Sequence, residues 1–278
     1  MGTITKALEL LNWFTPNRPE IGLGEFVRLT QRDKATVHRH LVELAENGFL
    51  EQNPDSRAYR LGPAVIRLAN LRESLFPVRR LLTPIVTELS QTLGELAHAS
   101  LLQDGALSPL VHADPKLHGV HVHFDISEIL PLHATSSGIA TLAFASENLR
   151  KKVLSQPLSK HASRTVSDPV VLQKMLDDAR RFGLCTLTGS FDEDVGSVGA
   201  PVFTEGNRVI GALAVAIPTA RSTPDRLREI ARHVLYHARR ASVALGGDFP
   251  TRFADLPPDW GTSRAETSKT HEMTEPHP

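Results

Sequence analysis

The chain has 278 residues, of which 41% are hydrophobic, and its 31 lysines and arginines balance its 31 aspartates and glutamates. A net charge of zero argues against a protein that coats nucleic acid by bulk attraction, and the apolar content is ample for one large domain or two ordinary ones. The single cysteine excludes an internal disulfide framework. With no signal-peptide pattern and no apolar run near the roughly 20 residues of a membrane helix, we expect a cytoplasmic protein without a membrane partner.

Two helices are predicted at the start of the chain, where apolar residues recur at helical spacing. The core face of the first is predicted to consist of Ile4, Ala7, Leu8, Leu11 and Phe14. The core face of the second, shorter helix is predicted to consist of Leu23, Phe26, Val27 and Leu29. Both precede a third helix with clearer boundaries.

This third helix is predicted between Asp33 and Gly48. The Asp33 carboxylate can accept hydrogen bonds from the free N–H groups of the first turn, and Gly48 suits the end of a helix. A narrow apolar stripe would face the core and consists of Val37, Leu41 and Leu44. The remaining face carries side chains suited to phosphates and base edges, and the predicted DNA contacts are Lys34, Ala35, Thr36, His38 and Arg39.

A basic hairpin is predicted directly after this helix. A strand at 50–52 is followed by turn-forming residues at 53–56 and a second strand at 57–61, and Arg57 at the tip could reach a phosphate or the minor groove. Three helices and a hairpin in this order are typical of a winged helix-turn-helix. The alternative is a charged surface helix beside an ordinary hairpin. Residues 1–80 hold twelve lysines and arginines against nine acidic residues, a weak bias towards DNA.

A linker helix is predicted over residues 64–81, ending near Pro77. Its apolar stripe consists of Val65, Leu68, Leu71 and Leu75, with Ile66 and Ala69 at the margin. Such a stripe needs to be buried, either against the same helix of a second subunit or against the domains of its own chain. Dimerisation through this helix would set the spacing between two recognition helices.

An α/β domain is predicted over residues 82–246. Its predicted helices are 82–93, 136–145, 148–155, 169–182 and 223–245, and its predicted strands are 97–102, 107–112, 120–124, 184–187, 197–203 and 208–217. This alternation fits a sheet covered by helices on one face, with a pocket between sheet and loops. Residues 247–278 contain few aliphatic residues and no periodicity, and we expect a disordered tail.

Two separated blocks of the chain resemble the IclR family of transcriptional regulators. The N-terminal block contains KALELLNWF, KATVHRHLVELAENGFLEQ and YRLGPAVIRLA, and the C-terminal block contains LPLHATSSGIATLA and VGAPVFTEGNRVIGALAVAIPTAR. The resemblance implies an α+β protein with a winged helix-turn-helix at residues 1–63, a linker helix, and a PAS/GAF-like effector domain with an antiparallel sheet. It also implies a homodimer or homotetramer that binds a double-stranded DNA operator.

The strongest candidate for an effector site is the segment Thr135, Ser136, Ser137 and Gly138. Small residues that open a helix expose backbone N–H groups to an anion, although a plain N-cap is the commoner outcome. The resemblance implies that this segment lines the effector site, and we expect a small organic acid or an aromatic metabolite there. At Ile139 the family usually has lysine. The effectors of other family members are therefore a weaker guide to the effector of this protein.

A second wall of the effector site is expected from residues 189–197. The resemblance implies an acidic residue near Ser190 and a small or thiol residue near Ser197. In this chain the acidic residues are Asp192, Glu193 and Asp194. We take Asp192 and Ser197 as the effector contacts and expect the other two acids to be solvated.

A histidine cluster supports an alternative from a different class, a metal-dependent enzyme. The cluster consists of His112, His118, His121 and His123, and two of these would alternate onto one face of the predicted strand at 120–124. No Cys, Asp or Glu completes a recognisable metal-binding spacing, and no phosphate loop or nucleophile motif supports catalysis. A third alternative is a small-molecule sensor with a vestigial N-terminal domain, which the basic residues of the third helix argue against. We therefore expect a non-enzymatic regulator without a cofactor or a metal.

Overall fold

A computed structural model of the chain describes residues 2–103, 105–253 and 256. These residues form two units that divide between Pro77 and Val78, and each unit has its own hydrophobic core. Within the described ranges no helix is long and apolar enough to cross a membrane.

The N-terminal unit is a winged helix-turn-helix. It consists of α1 (Thr3–Leu8), a 3-10 helix (Glu9–Trp13), α2 (Leu23–Thr30), α3 (Lys34–Glu46), the strands β1 (Leu50–Gln52) and β2 (Tyr59–Leu61), and α4 (Pro63–Leu75). The two strands pair antiparallel, with Leu50 opposite Leu61. The predicted helices, the hairpin and their order are confirmed, as is the buried stripe of α3.

The core face predicted for the first helix is partly wrong. Ile4 is 76% exposed and Leu8 is 47% exposed, whereas Leu10 is fully buried. The α-helix tightens into a 3-10 helix after Leu8. Because a 3-10 helix has three residues per turn rather than 3.6, the residues that face the core change at this point.

The linker helix is shorter than predicted. α4 ends at Leu75, because the residue before Pro77 avoids the helical conformation, and residues 78–81 belong to the next helix. Its apolar stripe is not buried: Leu71 is 54% exposed and Leu75 is 64% exposed. Leu68 is 41% exposed, and only Val65, at the start of the stripe, is half-buried.

The C-terminal unit is a six-stranded antiparallel sheet with five helices among its described residues. The helices are α5 (Val78–Leu93), α6 (Ser136–Phe144), α7 (Glu147–Leu154), α8 (Pro169–Phe182) and α9 (Pro224–Ala244). The strands are β3 (Leu96–Gln103), β4 (Ala106–Ala113), β5 (Leu130–Pro131), β6 (Cys185–Thr188), β7 (Val195–Thr204) and β8 (Arg208–Pro218). The strand order is β5-β4-β3-β8-β7-β6, and every neighbouring pair is antiparallel.

Helices cover both faces of this sheet, which corrects the prediction of a single covered face. On β7, a Cβ at Gly199 would point at the backbone of Ser137 in α6, whereas a Cβ at Gly196 would point at Ser222, just before α9. These two glycines are three residues apart and therefore face opposite sides of the strand. α6 and α8 pack on one face and α5 and α9 on the other. Both faces are apolar, so both need a cover.

The strand predicted at 120–124 is also wrong. These residues form a loop, and the outer strand on this side is β5, which pairs with β4. Side-chain contacts hold the loop instead: Arg221 donates a hydrogen bond to the carbonyl oxygen of Val120, and the Phe124 ring packs on His98 and His112.

The C-terminal tail begins later than predicted. Phe249 and Phe253 are buried and contact Phe203 and Phe144 edge-on, and the Asp248 N–H donates to the side chain of Asn207. The two aromatic rings explain why this segment packs on the domain. The rest of the predicted tail, residues 254–255 and 257–278, lies outside the described residues.

Candidate functional site

α3 presents its N-terminal turn to solvent. The Asp33 carboxylate accepts a hydrogen bond from the Thr36 N–H at 2.8 Å, which confirms the predicted N-cap. Hydrogen bonds from the Thr36 hydroxyl and then from the Thr36 N–H lower the pKa of Asp33. Of the predicted DNA contacts on this helix, Thr36 is half-buried and the others are exposed. The exposed set consists of Lys34, Ala35, His38 and Arg39. Neither Lys34 nor Arg39 forms an ion pair with a described residue, so both charges remain available to a partner.

The hairpin between β1 and β2 places one basic side chain at its tip. Asn53 accepts hydrogen bonds from the N–H groups of Asp55 and Ser56, and Arg57 adopts a left-handed conformation with φ of 58°. Arg57 is exposed and forms no ion pair with a described residue. Arg60, by contrast, forms ion pairs with two glutamates, Glu51 and Glu20. Arg57 is therefore the basic group that the hairpin offers to a partner.

His40 is a buried residue of α3 that the sequence analysis missed. It is 3% exposed, and neither ring nitrogen has a hydrogen-bond partner in the described part of the chain. Burial lowers the pKa of His40, and the charges of Arg39 and Arg32 lower it further. Its spacing of three and four residues from Val37 and Leu44 is the signal that could have placed it on the core face.

The predicted effector segment forms the buried N-terminus of α6. Thr135 caps the helix by accepting a hydrogen bond from the Gly138 N–H at 3.0 Å, and Ser136, Ser137 and Gly138 are all buried. The described hydrogen bonds leave the Ser136 and Ser137 N–H groups without a partner. These groups lie at the positive end of the helix dipole, and this is the arrangement that binds a carboxylate.

A row of side chains crosses the sheet beneath the α6 N-terminus. Strand pairing places its members side by side on one face: His112, His98, Ala214, Gly199 and Cys185. The next row on the same face consists of Leu96, Ala216, Ser197 and Leu187. Ser197, one of the predicted effector contacts, therefore lies on the face that α6 covers.

The acidic loop after β6 is held by its own hydrogen bonds. The Asp192 carboxylate accepts from the Asp194 N–H at 2.9 Å, and Glu193 accepts from both the N–H and the hydroxyl of Ser163. Asp192 is exposed, whereas Ser190 is buried and its hydroxyl has no hydrogen-bond partner among the described residues. Of these side chains, Ser190 is thus the buried one with an unused polar atom.

His98 and Phe124 are two further residues of this face that the sequence analysis missed. His98 is 6% exposed, its Nδ1 lies 3.1 Å from the Ser100 hydroxyl, and its ring centroid lies 4.8 Å from that of Phe124. Burial and, to a lesser extent, the nearby charge of His112 together lower the pKa of His98 to about 4. For His98, the signal in the sequence is its alternation with Ser100, which places both side chains on one face of the strand.

The histidine cluster proposed for a metal is not brought together. His112 packs on Phe124, whereas His118 lies 3.8 Å from the Glu95 carboxylate. In the ranges that the structure describes, no group of three His, Cys, Asp or Glu side chains could hold a metal ion. His121 and His123 are exposed loop residues. The geometry offers no support for the metal-dependent enzyme.

Replacing Gly199 by alanine is expected to lower the free energy of unfolding of the C-terminal unit by about 1–3 kcal/mol, the usual effect of overpacking. A Cβ there would lie 2.6 Å from the Ser137 nitrogen, so α6 has to move. Hydrogen exchange of α6 and β7 peptides measures the loss. Gly119→Ala, which meets nothing within 4 Å, is the control, and equal protection in both variants would contradict the close approach.

The exposed basic face of α3 and the hairpin beside it define a winged-helix DNA-binding protein. Two family models match the chain: the IclR helix-turn-helix domain at residues 3–54, and the C-terminal domain of the bacterial transcriptional regulator IclR at residues 74–243. The chain therefore belongs to the IclR family, and it is a DNA-binding transcriptional regulator.

Named relatives and solved structures agree with this assignment. The HTH-type transcriptional regulator KipR of Bacillus subtilis is 27% identical over 88% of this chain and 97% of its own length. The transcriptional repressor IclR of Escherichia coli is 26% identical, over 88% of this chain and 90% of that protein. A crystal structure of an IclR transcriptional regulator from Silicibacter sp. TM1040 is 40% identical, with a TM-score of 0.82, and covers 91% of this chain and 99% of that one.

A further structure has a small molecule bound. It is an IclR homologue from Microbacterium hydrocarbonoxydans complexed with 4-hydroxybenzoate. It is 24% identical, with a TM-score of 0.72, and covers 88% of this chain and 99% of that one. At this identity the comparison establishes the shared fold.

Proposed function

We propose that this regulator binds a specific operator and that a small carboxylic acid, held at the N-terminus of α6, changes its affinity for that operator. The observation that carries the proposal is the buried N-terminus of α6, where the N–H groups of Ser136 and Ser137 have no hydrogen-bond partner among the described residues. They lie on a face of the sheet lined by small side chains. The structure with bound 4-hydroxybenzoate supports an aromatic carboxylate as the chemical class.

The DNA contacts follow from the exposed side chains of α3 and the hairpin. Thr36, His38 and Arg39 lie on the first turns of α3, which is the part of a recognition helix that meets base edges in the major groove. Ala35 precedes Thr36 on the first turn and offers an apolar contact. Lys34 and Arg57 are exposed cations without an ion-pair partner among the described residues, and we assign them to phosphates or the minor groove.

Arg39→Ala is expected to reduce discrimination between the operator and unrelated DNA by about 1–3 kcal/mol, because a bidentate contact to a base edge is lost. Lys34→Ala is expected to weaken binding to both duplexes about equally and to make the salt dependence less steep, because a phosphate contact carries no sequence information. Fluorescence anisotropy at several salt concentrations measures both effects. Lys174→Ala, an exposed lysine on α8, is the charge-matched control. An unchanged operator preference in the Arg39 variant would refute its assignment.

A homodimer or homotetramer accounts for the exposed stripe of α4. Leu71 and Leu75 are long apolar side chains that stay more than half exposed in one chain. Burial of the stripe against the same helix of a second subunit would remove this surface from water and pair two recognition helices. The effector can then act only by binding one arrangement of the two DNA-binding units more tightly than another.

The experiment that tests the proposal is an anisotropy titration of the full chain against its own upstream intergenic DNA and an unrelated duplex, at fixed physiological salt. We expect at least a hundredfold preference, about 3 kcal/mol, for the upstream duplex. Addition of 4-hydroxybenzoate is expected to change the affinity for that duplex alone. Equal affinity with and without the acid would refute the effector class, and equal affinity for the two duplexes would refute an operator in that region.

A further inference from the structure

Two of the polar groups on the face of the sheet that α6 covers lie along one row. The first is the α6 N-terminus, whose Ser137 nitrogen lies against Gly199 of β7. The second is His98 of β3, which lies in the same row as Gly199, with Ala214 of β8 between them. Neighbouring strands are about 4.8 Å apart, so the backbones at His98 and Gly199 are about 10 Å apart.

The surface between these two places is lined by small side chains. Ala214 lies between His98 and Gly199, and Ala216 lies beside it in the next row, between Leu96 and Ser197. Methyl groups leave more space above the sheet than any larger side chain would. A flat ring held over Ala214 would have one end at the α6 N–H groups and the other at the imidazole of His98.

The chemistry of His98 suits a neutral polar group. Its Nδ1 shares a hydrogen bond with the Ser100 hydroxyl, and Phe124 packs on its ring at 4.8 Å, tilted by 31°. Because burial lowers the pKa of His98 to about 4, the imidazole is neutral at physiological pH and has one donor and one acceptor nitrogen. A second negative charge at this end would meet a buried group that carries no compensating charge.

We propose that His98, oriented by Ser100 and flanked by Phe124, binds the polar group at the far end of the effector, and that the effector is an aromatic carboxylate with a neutral hydroxyl group opposite its carboxylate. The inference rests on the proposed function, because it takes the carboxylate to lie at the N-terminus of α6. It adds a specificity determinant on β3, a strand to which the sequence analysis assigned no contact.

Three ligands and two variants test this inference by isothermal titration calorimetry on the full chain. The ligands are benzoate, 4-methylbenzoate and 4-hydroxybenzoate, the last two being nearly equal in size. We expect the wild-type chain to bind 4-hydroxybenzoate at least tenfold more tightly than the other two. His98→Phe, which keeps a ring for Phe124 to pack on, is expected to lose this preference while its affinity for benzoate changes less than threefold. His121→Phe, an exposed histidine outside the site, is expected to keep the preference.

The outcomes separate the inference from the proposed function. Equal binding of all three ligands by the wild-type chain, or an unchanged preference in His98→Phe, would overturn the role of His98 and leave the carboxylate site standing. Binding of none of the three would overturn both. If His98→Phe does not fold, the side-chain ¹⁵N resonances of His98 in the wild-type chain test whether His98 contacts the hydroxyl group of the ligand. They are expected to shift with 4-hydroxybenzoate and not with 4-methylbenzoate, and equal shifts would overturn the inference.

Discussion

Phe253→Ala is expected to lower the free energy of unfolding of the C-terminal unit by about 3–5 kcal/mol, the usual cost of removing a buried aromatic ring. Phe253 is 1% exposed, and its ring contacts Phe249 at 5.7 Å and Phe144 at 5.8 Å between centroids. It also lies against Gly183, where any Cβ would overlap the ring. No smaller side chain can fill this space, so a cavity remains.

Hydrogen exchange of peptides from α8 and β7 measures this loss without requiring the two units to unfold together. Thr251→Ala is the control, because Thr251 lies on the same short 3-10 helix (Thr251–Phe253) and is exposed. Equal protection in the two variants would mean that Phe253 does not contribute to the core. The same result would restore the prediction of a tail that begins at residue 247.

Acidification from pH 7 to pH 4 is expected to destabilise the C-terminal unit by about 3 kcal/mol through His98 alone. The pKa of His98 is lowered from 6.5 to about 4 in the fold because the buried ring resists protonation. Between these two values the unfolded chain binds a proton that the folded chain does not bind, so stability falls as the pH falls. The loss begins near pH 6.5 and levels off below pH 4.

Urea denaturation followed by circular dichroism across this pH range, compared with His98→Gln, isolates the contribution of His98. The comparison is needed because burial also lowers the pKa of His161 and of His237, which act in the same direction. The variant is expected to lose less stability between pH 6.5 and pH 4 than the wild-type chain. Parallel pH curves for the two proteins would refute the lowered pKa of His98.

Local signals predicted most of the N-terminal unit. The Asp33 cap, the Gly48 stop and the three-residue stripe of α3 all act within one or two helical turns, and each is confirmed. Helix capping and periodicity depend only on near neighbours, so they can be recognised without knowing the fold. Ile4 and Leu8 were assigned incorrectly because the change to a 3-10 helix left no mark on the apolar pattern.

The predicted effector contacts show where such reasoning ends. Ser136 and Ser137 were proposed because small residues open a helix and because the family resemblance places this segment at the effector site, and Ser197 because of the family resemblance alone. Asp192 was chosen by its charge, yet its carboxylate accepts a hydrogen bond within its own turn and is exposed. Whether it contacts the effector remains a prediction.

The sequence by itself determined the two-part organisation, the winged helix-turn-helix and the order of nearly all helices and strands, because these depend on periodicity and turn chemistry along short segments. Only the tertiary structure decided that Gly199 lies under Ser137, that His98 faces the same surface two strands away, and that Phe253 closes the core. Strand register and burial arise from contacts between residues far apart in the chain. No local pattern encodes them.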